Sequence, residues 1–435
     1  MIAAAIVATL VIIIVGVYWY ERPLLLTGTG YAAHNACAVT QIAGRDHPEV
    51  DLPPNPLVGH LRTSSDADST RATIRGLLAG QTAWFTPGYG CTVSRERPDL
   101  PPPYPVDGST NPFADLALVT PPDELAGLIG RAFGDDLSAE ERDALGTRAI
   151  VVVSDGEIVA ERYADGFSID TPQLGWSMAK SVANLITGRL VNEGLISTDD
   201  PIWPDKRGER ATITIDHLMR MTSGLAWDET YDLGTPITAM LYLKSDMAAF
   251  VTDQPLAYAV GSYQQYSSGS TNLLCSILIE RVGGDASLPY RTIFEPLGLS
   301  SAVLEPDGAG NPVCSSYMWA TPRDWATIGQ FVLDNGEWNG RQLLPDDWMS
   351  ISTTVIPTED GQEDGYAAGW WVNQRPDGSL VDPALPADTY WAAGHDGQYL
   401  YVVPSADLVV VRLGFTPEAD DNRVAALVAD LAKLD

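Results

Sequence analysis

The segment GWSMAKSVANLITGRL places Ser177 at the opening of a helix and Lys180 one turn later on the same side. A serine hydroxyl is a poor nucleophile until a base sits within hydrogen-bond reach. A lysine held among apolar groups can be that base, because burial disfavours the ammonium form. The free N–H groups of a helix start are also suited to a developing oxyanion. Met178, Val182, Leu185, Ile186 and Leu190 recur at helical spacing and define the buried stripe, whereas Ser177, Lys180, Ser181 and Asn184 share another. Taken alone, a capping serine and a solvated lysine explain the same pattern.

Two further segments carry groups of the same chemistry. In SYQQYSSGSTNLLCSILIERVGG, Tyr266-Ser267-Ser268 precedes a helix whose core face is Leu274, Ile277 and Leu278. A tyrosine beside a lysine can shuttle protons to and from a leaving group, although buried tyrosines are common. In AAGHDGQYLYVVP, glycines bracket His395-Asp396 at the start of a strand, where Gly397 lets a ligand approach the strand edge and the Gln398 N–H can meet a carbonyl oxygen. The bland alternative is a tight bulge with an exposed histidine. The chain has no G-x-S-x-G elbow, Walker A loop or G-x-G-x-x-G fingerprint.

The elements that must position these groups follow from the pattern. Apolar residues make up 45% of the 435 and charged residues 19%, which excludes a disordered or fibrous chain. The formal charge of −31 argues against nucleic-acid binding, since such a chain repels phosphate backbones. Residues 2–20 carry no charge and, at about 1.5 Å per residue, nearly match a hydrocarbon core of about 30 Å. Trp19 and Tyr20 sit where an aromatic belt lies. An uncleaved anchor over 1–22 is expected; a cleaved signal peptide is the competing reading, weakened by the absence of a basic residue before the run and of a nearby A-x-A site.

A small module is expected over 23–96, with a helical patch from Ser69 to Leu78 and a strand-and-turn at TAWFTPGYGC. Six prolines within 97–112 mark a stiff linker, placed at 97–114. The body, 115–435, opens with a capped amphipathic helix at PPDELAGLIGRAF and a hairpin turning at Asp155-Gly156. A long helical region covers about 177–350, then strands at YAAGWWVN, TYWAAGHDGQYLYVVP and DLVVVRLG lead to a helix from Asp420. The fold class is α+β: an antiparallel sheet flanked by helices, with an all-helical lobe. The four cysteines form no C-x-x-C and the five histidines no H-x-x-x-H, so no metal site is expected. Cys37 with Cys91 and Cys275 with Cys314 is one reading; four unrelated thiols is the other.

The order S-x-x-K, Y-S-S, H-D-G, with WSMAKS, ITIDHLMRMTSGLAWDETY, FEPLGL and YMWATPRDWATIGQFVLDNGEW around it, resembles the serine β-lactamase and penicillin-binding-protein superfamily. Its class C-like branch, which includes esterases and 6-aminohexanoate-dimer hydrolases, is the nearer likeness, over roughly 115–435. The resemblance implies Ser177 as the acylated nucleophile, Lys180 as its proton acceptor and Tyr266 as a proton relay. It implies an oxyanion hole from the Ser177 and Gln398 N–H groups, with His395, Asp396 and Gly397 on the strand beside the site. Tyr231, in WDETY, resembles a loop tyrosine that contacts the amide in the oligomer hydrolases. No cofactor is implied.

Two departures count against a true β-lactamase. Ser268 stands where those enzymes carry an Asn, and His395 stands where they carry a Lys. The expected protein is therefore a membrane-anchored serine hydrolase on the extracytoplasmic, periplasmic side, acting on a small ester or amide. A D-peptidase or weak β-lactamase acting on cell-wall peptides is the first alternative, and a catalytically silent sensor the second. Trp227, Trp370, Trp371 and Trp391 are expected mostly in the core, and Asp216 and His217 are read as structural.

Overall fold

The computed structural model describes residues 2–358, 360–361, 365–417 and 422–434. The first element, α1 (Ile2–Gln41), is one continuous helix that contains Pro23. It therefore does not end at the charged residues 21–22, where the sequence reading closed the anchor. Residues 5–15 are exposed, whereas Thr29, Ala32, Ala33, Cys37, Ala38 and Val39 are buried against the rest of the chain. The small side chains of this second half allow close approach: a Cβ on Gly30 would stand 2.7 Å from Tyr242 Cβ.

A four-stranded antiparallel sheet follows: β1 (Leu61–Ser65), β2 (Ser69–Ile74), β3 (Leu78–Thr86) and β4 (Gly90–Val93). The expected helical patch at Ser69–Leu78 is thus strand and turn. Thr70, Ala72 and Ile74 alternate inward with period two, and Arg75-Gly76, both at positive φ, turn the chain back. Cys37–Cys91 ties α1 to β4. The proline-rich stretch packs along the body; Phe113 is buried and Asn111 Nδ2 donates to Asp324 Oδ1 at 2.9 Å.

The body is built on a sheet that begins after α2 (Asp123–Ala132) with β5 (Thr147–Ser154) and β6 (Glu157–Tyr163). The expected side-chain cap of α2 is not formed: Pro122, which has no side-chain acceptor, stands at the N-cap, and Asp123 and Glu124 fall within the first turn. The intervening chain supplies α3 (Ala179–Asn192), α4 (Pro236–Leu243), α5 (Ser268–Val282) and α6 (Pro322–Leu333), the last packed on the sheet. The chain then returns as β7 (Trp371–Val372), β8 (Tyr390–Gly394), β9 (Gln398–Val403) and β10 (Leu408–Gly414), closing with α7 (Val424–Leu431). Residues 420–421, where that last helix was expected to open, lie outside the described residues.

The sheet order is β7-β8-β9-β10-β5-β6, antiparallel throughout. Both faces are covered, which is why residues 149–153 of β5 and 408–411 of β10 are continuous apolar runs. Val151, Val153, Val409 and Val411 point into the core that holds Trp325 and Phe331 of α6. Ile150, Val152 and Val410 point to the opposite layer, against Ile129 of α2 and Leu427 and Val428 of α7. This mixed architecture with an antiparallel sheet is the fold class expected.

Candidate active site

Ser177 lies in a single 3₁₀ turn, Trp176–Met178, that leads directly into α3. Trp176 just before it has φ +47°, a left-handed conformation that costs a non-glycine residue about 1–3 kcal/mol and persists only where its surroundings impose it. The surroundings do so. Gly175 N donates to Met318 O at 2.8 Å, and a Cβ on Gly394 of β8 would stand 2.1 Å from Gly175 O. Two glycine backbones in contact therefore press the serine turn against the end of β8.

Lys180, one turn on, is 2% exposed. Its Nζ donates to Ser177 Oγ at 2.8 Å, Ser268 Oγ at 2.9 Å and Ser315 O at 3.1 Å, and stands 4.7 Å from the centroid of the Tyr266 ring. Burial pulls its ammonium down to about 8 from an ordinary 10.5, opposed by the Glu229 carboxylate, which raises it. Ser177, Lys180, Tyr266 and Ser268 are thus gathered around one amine. Ser181 and Asn184, on the same stripe, turn instead to backbone: Ser181 Oγ donates to Gly369 O at 2.7 Å and Asn184 Nδ2 to Ala368 O at 2.8 Å.

The segment carrying Ser315 is fixed from α5. Ser315 N donates to Asn272 Oδ1 at 3.0 Å, and Cys275 of α5 is disulfide-bonded to Cys314. Both proposed pairings, Cys37–Cys91 and Cys275–Cys314, are present.

Glu229 was not identified from sequence. Its carboxylate accepts from Ser268 N at 2.9 Å and Trp227 Nε1 at 2.5 Å, and it forms a short hydrogen bond with Ser268 Oγ. A chain of contacts therefore runs Ser177–Lys180–Ser268–Glu229. Its position two residues before Tyr231 in WDETY was the only available signal.

The β8–β9 turn places His395, Asp396 and Gly397 with φ +59° at Asp396 and +86° at Gly397. Arg412 of β10, fully buried, holds this turn: its guanidinium donates to Gly397 O at 2.5 Å, Leu145 O at 2.7 Å and Thr416 Oγ1 at 2.7 Å. Gln398 opens β9 opposite Gly394, and its side-chain Nε2 donates to Gly414 O at 2.6 Å. His395 Nε2 lies 3.4 Å from Asp396 Oδ1, and burial pushes the Asp396 carboxyl up.

Tyr231 stacks on His395, with centroids 4.3 Å apart and rings 10° from parallel, and both rings meet Trp176 edge-on. The Tyr231 hydroxyl is enclosed, with no hydrogen-bond partner among the described residues. Trp176 was not among the four tryptophans singled out. Of those, Trp227 and Trp370 are core, and Trp371 stacks 5.4 Å from the Tyr266 ring. Asp216 pairs with Arg220 at 2.8 Å and His217 with Thr214 Oγ1 at 2.8 Å, away from this cluster. Among the described residues no three His, Cys, Asp or Glu side chains converge as metal ligands.

The model of the beta-lactamase family matches residues 135–433. The 6-aminohexanoate-dimer hydrolase of Paenarthrobacter ureafaciens is 25% identical over 301 residues, 63% of this chain and 74% of that protein. Among solved structures, a penicillin-binding protein homologue from Caulobacter crescentus aligns with TM-score 0.56 and 18% identity, covering 72% of this chain and 99% of the other. A family VIII carboxylesterase aligns with TM-score 0.56 and 15% identity, over 73% and 98% respectively. At those identities the structural likenesses speak to fold alone.

Proposed function

We infer the reaction from one premise: the chain belongs to the beta-lactamase family. It is a hydrolase of that family, and we propose that it cleaves a small ester or amide through an acyl-enzyme on Ser177. The observation that carries this reading is the enclosed Lys180 amine 2.8 Å from Ser177 Oγ. In acylation the Ser177 oxygen bonds to the substrate carbonyl carbon while its proton passes to Lys180 Nζ. The oxyanion is held by the Ser177 and Gln398 N–H groups. Collapse breaks the bond to the alcohol or amine, which leaves with a proton relayed through Tyr266. Water then attacks the ester carbonyl by the reverse relay and frees Ser177.

His395 and Tyr231 form the wall on which the substrate lies, with Asp396 and Gly397 shaping the turn. A fixed ammonium at position 395 would favour carboxylated substrates; an imidazole stacked on a phenol favours uncharged ones. The helix α1 is long and apolar enough to cross a membrane or to serve as a signal sequence. We read residues 2–20 as an anchor, with the body in an extracytoplasmic, oxidising compartment where the two disulfides persist.

Turnover of p-nitrophenyl butyrate, benzylpenicillin and a D-Ala-D-Ala peptide by the full chain tests the reading. The ester is expected to be the best substrate, with turnover abolished in Ser177→Ala. Preference for the peptide or penicillin would favour a peptidase or lactamase, and no turnover of any by folded protein would overturn the hydrolase mechanism.

A further inference from the structure

The second half of α1 and the loop leading to β1 do more than tether the body: they close a cavity beside the site. The cavity has a volume of ≈ 120 Å³ and lies between α1 and the Tyr231–His395 pair. Leu52, Leu57 and Val58 line it from the N-terminal side, Leu233 from the body, and Tyr31 of α1 from above. Tyr31 is 6.2 Å from the Trp176 ring, next to Ser177, and 5.4 Å from the Tyr242 ring. Among the described residues, the ionisable groups on its lining are tyrosines and His395, and no Lys, Arg, Asp or Glu faces it.

The roof is held rigidly. His34 of α1 is stacked on Tyr317 at 4.0 Å, and its Nε2 meets the buried Glu305 carboxylate at 2.7 Å. The same carboxylate accepts from Cys91 N at 2.6 Å. Asp51, just before the lining loop, is clasped by Arg45 and by Arg148 of β5. The Cys37–Cys91 bond closes the assembly. An apolar space under a roof that a disulfide braces internally, and that Glu305, Arg148 and the His34–Tyr317 stack tie to the body, is a formed pocket, as ligand sites generally are.

We propose that this cavity is a subsite for a short, uncharged apolar group of the substrate, and that residues 52–58 set the length it accepts. The proposal rests on the hydrolase reading and narrows it to neutral esters or amides with a compact hydrocarbon part. The volume is a little below the roughly 150 Å³ that admits benzene, so about four to six carbons fill it. Up to that length each added methylene should raise kcat/KM about three- to fourfold, and beyond it the closed roof should reverse the gain. The enclosed Tyr231 hydroxyl, on the side of the cavity that stacks on His395, is a donor available to the polar part of the substrate.

The test uses the full chain in detergent and two ester series, p-nitrophenyl acetate to decanoate and methyl to octyl acetates. One series is expected to peak at about four to six carbons and to fall at least tenfold at its long end. Leu57→Trp and, from the opposite wall, Leu233→Trp should each lower the ratio of peak to shortest ester at least tenfold. Flat profiles in both series, or profiles unchanged in both variants, would overturn the subsite. Calorimetric binding of butyrophenone, a ketone that cannot be hydrolysed, to the Ser177→Ala protein separates this from the mechanism. Binding that weakens at least tenfold in Leu57→Trp supports the subsite even if no ester is turned over, and absence of binding overturns it even if esters are cleaved.

Discussion

Lys180 Nζ stands 2.8 Å from Ser177 Oγ and is shut away from solvent, with Ser268 Oγ, Ser315 O and the face of Tyr266 as its other neighbours. An amine so enclosed sheds its proton more readily than one in water, and the group beside it that gains is the serine hydroxyl. In our account this pair is the chemical centre, and the remaining residues set how long the amine stays neutral and where the carbonyl lies.

Activity should follow the neutral fraction of Lys180. Its ammonium titrates at about 8, so kcat/KM for a neutral ester should rise with pH to a plateau above that value. Lys180→Met, which keeps the length and loses the base, should lower kcat/KM by about 10²–10⁴-fold and abolish this limb. A pH–rate profile of both proteins checks it.

Glu229 raises the Lys180 value, so its neutralisation should act in the opposite sense. In Glu229→Gln the ammonium is less favoured, and the acid limb should move to lower pH. A purely structural role would lower the plateau without moving the limb.

The expected anatomy was legible where one element carries both signal and outcome. The period of α3 put Ser177 and Lys180 on one side, and the Asp155-Gly156 turn marked the β5–β6 hairpin. Long-range partners leave no such trace. Glu229 meets Ser268 from 39 residues away, and Arg412 holds Gly397 from the neighbouring strand. Ser69–Leu78 misled because Ile74 and the leucines at 77 and 78, spaced i, i+3, i+4, mimic a helical face, while the pairing that makes it strand lies in β1 and β3. Likewise, charges at 21–22 resemble the end of a helix, but contacts with Tyr242 and Glu305 keep the chain helical to Gln41.

Gly394→Ala tests the approach of the serine turn to β8. The added methyl would fall 2.1 Å from Gly175 O, backbone against backbone, so one chain must shift. Displacement of the nucleophile by about 1 Å should cost on the order of 10²-fold in kcat, with Gly397 and Gln398 unaltered in type. Steady-state kinetics on folded protein reads the effect.

The Cys275–Cys314 bond holds Ser315 against Lys180, so its loss should weaken both fold and site. The double variant Cys275→Ser/Cys314→Ser should lose about 2–5 kcal/mol of stability, measured by urea unfolding. Its acid limb should also shift, because Ser315 O is one of three acceptors that hold the ammonium.

The mechanism requires a covalent bond to the Ser177 oxygen, and intact mass measures it directly. After brief exposure to a fluorophosphonate, the wild-type chain should gain the mass of a single adduct and the Ser177→Ala chain none. An unmodified wild-type protein shown to be folded, or an adduct that survives in Ser177→Ala, would contradict the account.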